Sequence, residues 1–403
     1  MKSPRRLLLA LLPALVVGMG HPTAHAQAPN PVRVGFICPF TGGSADFGLA
    51  ARLGAELAVK EINEVGGFMG RPLELVARDD QSNPAVGRQA AEELVNGKKA
   101  DFTVGFCNTG VALNALEVFQ NAHHLLLIPV ATGTALTAKY PAASSLVFRL
   151  SVRDAVQASF LVEEVVRRGL SRVAVFADKT GYGEGGLNDV TRLLAEKGLQ
   201  PTHVTRFDLG TTSLLSQMKE AKAAGVDAVI SYTVGPEQAV VARARADAGL
   251  NAPLLGPWTL SLRAVGEKAG GAVEGALMPQ TIIQDVAMER RTSFIARLRR
   301  QAGGQPVGSL MAAAQTYDAF YLMLGALFQT RGRTDGDTLK AALENLDRPY
   351  PGVVTTYERP FSSTDHDAVS RNMVWLGTWR KGDIHFAYPE DAKRAAVMQR
   401  KTP

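Results

Sequence analysis

The feature that most limits the fold of this chain is a regular alternation of short apolar runs with amphipathic segments. Runs of strand length occur in a first series at residues 32–37, 73–77, 102–106, 125–130 and 146–148. A second series occurs at residues 172–177, 202–207, 228–232, 253–256 and 276–278. Between these runs, apolar residues recur at helical spacing, as Leu49, Leu53 and Leu57 do. The alternation predicts an α/β fold with parallel sheets flanked by helices.

Length and order predict two Rossmann-like lobes. The chain has 403 residues, more than the ~250–300 at which a single core stops growing. After the second series come three helical stretches and then further strands, at residues 353–358 and 373–379. This order predicts three hinge crossings, near residues 150–151, 279–281 and 349–352. Lobe 1 is then residues 31–150 and 281–349, lobe 2 is residues 151–280 and 350–388, and a basic tail that frays is residues 389–403.

The N-terminus has the pattern of a cleavable signal peptide, residues 1–26. Lys2, Arg5 and Arg6 precede an apolar stretch at residues 7–17, and Ala-His-Ala at residues 24–26 fits a cleavage site. The apolar stretch is shorter than the ~20 residues of a membrane-spanning helix. We therefore expect an exported, periplasmic protein.

Charge and cysteine content exclude several classes of function. The 44 basic and 38 acidic residues are spread along the chain, whereas a nucleic-acid-binding protein would have a clustered basic face. Only two cysteines occur, Cys38 and Cys107, which excludes a disulfide-rich scaffold and a multi-cysteine metal site. We expect no nucleic-acid partner.

Polar turns follow several predicted strands of the first lobe. In open α/β sheets ligands bind beyond the carboxyl ends of the strands. Asn108 and Thr109 follow the third strand, Thr132 and Thr134 follow the fourth, and a glycine-rich turn at residues 40–48 follows the first. Free N–H groups at helix starts favour an anion, although such residues also serve as helix caps. Three such turns without a catalytic base favour capture of a carboxylate.

One motif has the form of a dinucleotide-binding loop. Gly181, Gly183 and Gly186 satisfy G-x-G-x-x-G after a strand, but Tyr182 and Glu184 occupy the variable positions and a lone match is weak. The G-x-S-x-G and H-E-x-x-H motifs of hydrolases do not occur. We expect no catalytic residue, metal or cofactor, and an NAD-dependent oxidoreductase stays the less favoured alternative.

Several motifs together resemble a known family. They are Thr41-Gly42 with Phe47-Gly48, Glu61-Ile62-Asn63 with Gly66-Gly67, Asp79-Asp80, Pro129 with Ala131-Thr132, Arg149 with Asp154 and Gln157, Asp178 with residues 182–185, and Gly256-Pro257. Over essentially the whole mature chain, the sequence resembles the leucine/isoleucine/valine-type periplasmic binding proteins of ABC transporters. The resemblance implies the type I periplasmic binding protein fold, with a ligand cleft between two lobes.

The resemblance also implies which residues bind the ligand. Phe47 would form an aromatic wall, and Asn108 and Thr109 stand where the family has a turn that takes the ligand carboxylate. The expected ligand-binding residues are Phe47, Asn108, Thr109, Val130, Ala131, Thr132, Tyr182, Tyr232 and Trp258. The implied mechanism is hinge closure over a small carboxylate, by a monomer that then docks on an ABC transporter permease. A sensor subunit that presents its ligand to a receptor is the alternative.

Trp258 is a departure from the family that bears on the ligand. Family members that bind amino acids have an acid directly after Gly-Pro, which holds the α-ammonium group, whereas Trp258 stands there in this chain. Our hypothesis is therefore a carboxylate without an α-ammonium group, an aromatic acid. The alternative is a local shift of the alignment, with Glu237 or Asp285 as the acid.

The cysteines are a second departure. The family disulfide joins a cysteine after Asp-Asp to one in the turn after the third strand. Here Ser82 replaces the first and Cys107 keeps the second, while Cys38 ends the strand expected beside the third. A disulfide between Cys38 and Cys107 is the resulting prediction.

Overall fold

The computed structural model describes residues 30–284, 288–397 and 399–402. The predicted signal peptide and Asp285 lie outside the described residues. Among the helices that are described, none is both long and apolar enough to cross a membrane.

The strands form two large sheets and one small hairpin. Their bounds are β1 Val32–Cys38, β2 Leu73–Asp79, β3 Phe102–Gly105, β4 Leu126–Ile128, β5 Val147–Arg149, β6 Val173–Asp178, β7 Pro201–Phe207, β8 Ala228–Tyr232, β9 Leu254–Leu255, β10 Leu277–Gln280, β11 Tyr350–Pro351, β12 Thr356–Tyr357, β13 Trp375–Arg380 and β14 Asp383–Phe386. The ten strands predicted before residue 280 are therefore all present, with ends that differ by a few residues.

Helices cover the sheets and connect most of the strands. Their bounds are α1 Ala45–Glu64, α2 Pro84–Val95, α3 Thr109–Asn121, α4 Ala135–Ala138, α5 Asp154–Arg167, α6 Gly181–Glu196, α7 Leu215–Ala223, α8 Glu237–Asp247, α9 Arg263–Ala269, α10 Glu289–Gln301, α11 Leu310–Gln329, α12 Gly336–Glu344 and α13 Pro389–Ala395. Local sequence sets several of the helix starts. At α2, for example, the Asn83 side chain accepts from the backbone N–H of Ala85 over 2.9 Å, and Pro84 follows at the first helical position.

The first sheet is entirely parallel, in the order β2-β1-β3-β4-β5. Its strands are apolar because both faces are covered; β3, for instance, is buried along its whole length. All five carboxyl ends meet at one edge, and the turns that contain Asn108 and Thr132 leave the sheet there.

The second sheet is mixed, which corrects the expectation of parallel strands throughout. Its order is β14-β13-β10-β9-β8-β6-β7, and β13 runs antiparallel to both β10 and β14. β13 and β14 are joined by Lys381 and Gly382, both with positive φ, and a connection this short can only join antiparallel strands. The parallel part, from β10 to β7, has its carboxyl ends beside Tyr182, Tyr232 and Trp258.

The chain passes between the two sheets three times, as predicted. It enters the second sheet after β5, returns after β10 to pack α10 and α11 on α1, and enters the second sheet again after α12. The α/β fold with three crossings is thus confirmed, while the residue bounds of the lobes stay a prediction.

The C-terminal segment contains a further helix, and its expected fraying stays a prediction. Residues Pro389–Ala395 form α13, which packs on β13 and β14. The Lys401 ammonium group donates to the Pro360 carbonyl over 2.8 Å and lies 2.7 Å from an Asp365 carboxylate oxygen. Contacts that are distant in sequence therefore hold a tail that looks merely basic and polar.

Candidate functional site

The predicted ligand-binding residues all lie near the carboxyl ends of the parallel strands. Asn108 and Thr109 follow β3, residues 130–132 follow β4, Tyr182 lies in the first turn of α6 after β6, Tyr232 ends β8, and Trp258 begins a short 3₁₀ helix after β9. Phe47 lies in the first turn of α1. All nine side chains are buried, so they form an enclosed region.

Side chains of the two sheets meet directly in this region. The rings of Phe47 and Trp258 have centroids 4.8 Å apart and an interplanar angle of 47°. Nearby, the Thr134 hydroxyl donates to an Asp189 carboxylate oxygen over 2.6 Å. An aromatic pair and a hydrogen bond therefore connect the two sides.

Three of the predicted residues have a buried polar atom without a hydrogen-bond partner. Asn108 donates from Nδ2 to Ser44 Oγ over 2.9 Å, but its Oδ1 is unpaired. The Tyr182 hydroxyl and Trp258 Nε1 are also unpaired. An unsatisfied buried polar group costs about 1–3 kcal/mol, and most such groups in proteins are paired. The three atoms come from both sides of the region, which is the pattern of a site built to bind a polar ligand.

Tyr182 is held in its protonated form. Burial, and then the nearby Asp154 carboxyl, raise its pKa well above the ordinary value, while the side chains of Thr259 and Thr132 lie close enough to lower it in part. The neutral phenol retains a proton that it can donate to a carboxylate or a carbonyl. Its ring packs on Tyr232, with centroids 5.3 Å apart.

Asp154 is an acid of this region that the sequence analysis did not include in the site. It begins α5, and its backbone N–H donates to the Thr132 carbonyl over 2.9 Å. Its Oδ1 accepts from Gln157 Nε2 over 3.0 Å, whereas Oδ2 is buried and unpaired. Burial raises its pKa to about 7, although the Thr132 hydroxyl and the Arg149 charge act in the opposite direction.

Arg149, whose charge acts on Asp154, already has a partner. It is fully buried, and its Nε lies 2.8 Å from Asp367 Oδ1. It also donates from Nη1 to the carbonyls of Thr132 and Gly133, over 2.8 and 2.7 Å. Arg149 therefore fixes the turn after β4, and Asp154 has no counterion of its own.

Gln157 connects Asp154 to Trp258. Its amide donates to Asp154, and its Oε1 accepts from the backbone N–H of Trp258 over 2.9 Å. The sequence signal that would have identified Asp154 and Gln157 is their place in the first turn of the helix after β5, among the motifs of the resemblance. The signal was insufficient because nothing local indicates that the Asp154 carboxyl points inward.

Several predicted residues have their polar groups occupied within the protein. Thr109 Oγ1 accepts from the Gly133 N–H over 3.0 Å, and the Ala131 carbonyl accepts from Ser151 Oγ over 2.6 Å. The Tyr232 hydroxyl donates to the Asp154 carbonyl over 3.4 Å. These residues shape the site, and Val130 contributes a buried apolar side chain.

Two other acids, Glu237 and Asp285, were alternatives for binding a ligand ammonium group. Of these, Glu237 lies among the described residues, and its carboxylate already has a hydrogen-bond partner. It is buried, and its Oε1 accepts from the Gly210 N–H over 2.8 Å, at the loop after β7. Asp154, rather than Glu237, is the acid with an unpaired oxygen beside Tyr182.

The glycines of the G-x-G-x-x-G motif are explained by close packing. A Cβ at Gly183 would lie 2.1 Å from the Asp178 carbonyl oxygen, and one at Gly186 would lie 1.9 Å from the Tyr232 ring. Glu184 lies 2.5 Å from Arg206 Nη2. The motif therefore allows α6 to approach β6 and β8, a role that needs no dinucleotide.

Cys38 and Cys107 are buried neighbours whose side chains are in contact without a bond between them in this structure, and the disulfide stays a prediction. Burial raises the pKa of both groups, and their mutual contact and the nearby Asp80 raise the pKa of Cys38 further. In the described part of the chain, no group of His, Cys, Asp or Glu side chains could hold a metal ion.

Known proteins agree with this architecture. The sequence pattern of the family described as periplasmic binding protein matches residues 31–383. Leu/Ile/Val-binding protein homolog 3 of Brucella melitensis is 33% identical over 231 residues, which are 57% of this chain and 62% of that protein. The alignment thus spans under two thirds of that relative's length.

Solved structures with different ligands have the same fold. The branched-chain amino acid transporter substrate-binding protein LivJ of Streptococcus pneumoniae, in complex with isoleucine, has a TM-score of 0.76 and 22% identity over 88% of this chain and 98% of that one. A solute-binding protein of an ABC transporter from R. palustris, in complex with 4-hydroxybenzoate, has a TM-score of 0.77 and 21% identity over 88% of this chain and 95% of that one. With the family match over residues 31–383, the conclusion is that this chain belongs to the periplasmic binding protein family.

Proposed function

We propose that this protein is the periplasmic solute-binding component of an ABC uptake transporter, and that it captures a small carboxylate without chemical conversion. The observation that carries the proposal is the set of buried, unpaired polar atoms on Asn108, Tyr182 and Trp258. They come from both sides of an enclosed region, as a ligand held between two closing lobes requires. The protein acts as a monomer that presents its closed form to a membrane permease.

Within this class we propose an α-amino acid with an apolar side chain as the ligand. The buried Asp154 carboxyl has an unpaired oxygen and no counterion of its own, and a ligand ammonium group would supply the missing charge. Phe47 and Trp258 offer an apolar wall for the side chain. The name of the Brucella relative, a Leu/Ile/Val-binding protein homolog, is consistent with this choice.

An aromatic acid is the second candidate, favoured by Trp258 itself. The Phe47–Trp258 pair is suited to packing on a ring, and the R. palustris structure is a complex with 4-hydroxybenzoate. In this case the unpaired oxygens of Asn108 and Asp154 would accept from a ring hydroxyl, and no ammonium group is needed.

Hinge closure is the mechanism that we propose for capture. The turns after β3 and β4, with Asn108 and Thr132, bind first, and Tyr182 and Trp258 then close over the ligand and exclude water. A ligand shifts an equilibrium between open and closed forms only by its preference for one of them. Contacts made to both sides at once, as the unpaired atoms allow, supply that preference.

Thermal unfolding of the mature protein with a panel of ligands tests the proposal. The panel contains branched-chain and other amino acids, benzoates and aliphatic carboxylates. A ligand at 100 times its dissociation constant should stabilise the protein by ~2.7 kcal/mol. We expect a shift with apolar amino acids, its loss in Asp154→Asn, and its retention in the control Asp247→Asn, an exposed carboxylate.

The outcomes separate the two ligand classes. A response to benzoates alone, retained in Asp154→Asn, would replace the amino acid by an aromatic acid. If no carboxylate in the panel raised the unfolding temperature, the solute-binding proposal itself would be wrong.

A further inference from the structure

A cavity of about 590 Å³ lies at the second crossing between the sheets, apart from the site described above. Its walls are α10, the loop before α11, the start of α11 and the β13–β14 hairpin. None of the nine predicted ligand-binding residues lines it. Its volume falls within the ~300–1,000 Å³ of typical small-molecule sites.

The floor of this cavity, which we call the crossing cavity, is partly apolar, with Gln280 and Ser309 among its polar members. Leu298, Met311 and Trp379 line it and are buried, as is Ile282 at the crossing itself. Ile384 of β14 forms a half-buried side wall. Such a lining favours an aliphatic or aromatic body, because burial of apolar surface contributes ~25 cal/mol per Å².

The rim of the crossing cavity carries two exposed guanidinium groups. Arg263 pairs with Glu267 through Nε over 2.7 Å. Arg299 donates from Nη2 to Gln284 over 3.4 Å and makes no ion pair within the described residues. Asp383 also lies at the rim, and because Glu267 already pairs with Arg263, Arg299 is left as a guanidinium group without an ion pair among the described residues. A partly apolar floor under a guanidinium rim suits a molecule with one anionic group and an apolar body.

Both sheets contribute to the crossing cavity. Arg263, from the second-sheet side, donates its backbone N–H to the Gly308 carbonyl in the loop before α11 over 3.2 Å. The arrangement that forms this cavity is the one in which Phe47 and Trp258 are in contact. An occupant would therefore touch both sides of the molecule.

We propose that the crossing cavity is a second ligand site, which takes a small amphipathic monoanion such as a medium-chain carboxylic acid. The apolar chain lies on Leu298, Met311 and Trp379, and Arg299 binds the carboxylate. This site is separate from the first and does not depend on the ligand of the first.

Titration of the mature protein with decanoate below its micellar concentration tests this site, with heat and tryptophan fluorescence as readouts. The matched variants are Arg299→Ala and Arg300→Ala. Both arginines are exposed in the last turn of α10, but Arg300 does not line the cavity. We expect saturable binding, about tenfold weaker in Arg299→Ala and unchanged in Arg300→Ala. Leu310→Trp, which places an indole in the cavity, should abolish binding while thermal unfolding stays cooperative.

Three results would overturn the proposal. Equal losses in the two arginine variants would indicate unspecific attraction to a basic helix. Binding that neither variant alters would place decanoate in the first site or on the surface. Equally tight binding of decanol would remove the role assigned to the anionic group. Asp154→Asn acts on the first site and Arg299→Ala on the second, so these variants show which of the two proposals fails.

Discussion

At the scale of single residues, Asp154 combines properties that rarely occur together. Its carboxyl is buried, has one unpaired oxygen, and has a pKa raised to about 7 by burial. Its place at the start of α5 favours the ionised form, because the helix dipole is positive there, yet desolvation is the larger effect. Near neutral pH, a small change in its surroundings will therefore change its charge.

Asp154 predicts a pH dependence of ligand affinity. A ligand ammonium group stabilises the carboxylate, so an amino acid binds the ionised form and its binding lowers the pKa. Below pH 7 we expect affinity to fall by about tenfold per pH unit, and above pH 8 to be constant. Isothermal titration between pH 5 and 8.5 measures this slope, and the weak residual binding in Asp154→Asn should not depend on pH. An equal slope in the variant would assign the titration to another group.

The site could be predicted from sequence for residues that directly follow strands. The turns with Asn108 and Thr132 and the aromatic residues Tyr182 and Trp258 were located in this way, and their roles in binding stay predictions. The state of Asp154 could not be predicted, because it depends on Arg149 being paired with Asp367, 218 residues away in the chain.

At the scale of elements, the third crossing is fixed to two helices. Asp318 of α11 is fully buried and accepts from the backbone N–H groups of Val353 and Val354, over 2.8 and 2.9 Å. On the carbonyl side of the same segment, Arg291 of α10 donates to Val354 over 2.8 Å. The N–H and carbonyl groups of residues 353–354 are therefore hydrogen-bonded to α11 and α10. Hinge bending at this crossing should occur outside these two residues.

Asp318→Asn should destabilise the protein, because an amide cannot accept both backbone N–H groups with two oxygens. We expect a loss of ~1–3 kcal/mol, measured by urea unfolding, with the exposed Asp347→Asn as control. Burial raises the pKa of Asp318 to about 7. Because folding raises the pKa of this carboxyl, its protonated form contributes stability. This contribution is complete below the pKa of the unfolded state and is lost as the pH rises through 7.

The loss caused by Asp318→Asn should therefore be smaller at pH 8 than at pH 5. A loss that is the same at both pH values would mean that Asp318 does not titrate in this range.

Strands were predicted correctly where the sequence pattern was local. The prediction failed where contacts with distant segments decide whether a strand forms. β1 and β8 are each within one residue of their predicted bounds, because apolar, β-branched runs flanked by turns have few other uses. The strand predicted at residues 353–358 is instead an arm of the short hairpin of β11 and β12, since Asp318 and Arg291 take the backbone groups of residues 353–354. β14 was not predicted, because this edge strand pairs only with β13 and its register depends on that pairing.

At the scale of the whole molecule, contacts between the two sides would set the balance between open and closed forms in the hinge closure that we propose. The Thr134–Asp189 hydrogen bond and the Phe47–Trp258 contact join the sides without using the unpaired atoms of the site. Loss of such a contact makes the closed form less populated. The apparent affinity for the ligand then falls by the same factor as the population of the closed form, even though no contact with the ligand is removed.

Asp189→Ala should therefore weaken binding of every ligand by about threefold to tenfold, mainly through faster dissociation. Stopped-flow displacement measures the dissociation rate, and Asp208→Ala is the control, an exposed carboxylate on the same side that pairs with Lys179 over 2.8 Å. A change in the ranking of ligands would show instead that Asp189 contacts the ligand itself.

The sequence by itself determined the α/β class, the two series of strands, the three crossings and the family, because hydrophobic period and turn residues act over short stretches of chain. Only the tertiary structure decided the antiparallel edge of the second sheet, the contact between the buried Cys38 and Cys107, and the unpaired oxygen of Asp154. Each of these depends on contacts between segments that are far apart in the chain, and on the desolvation that such contacts produce. A buried group acquires its charge and its partners only when the whole fold has closed around it.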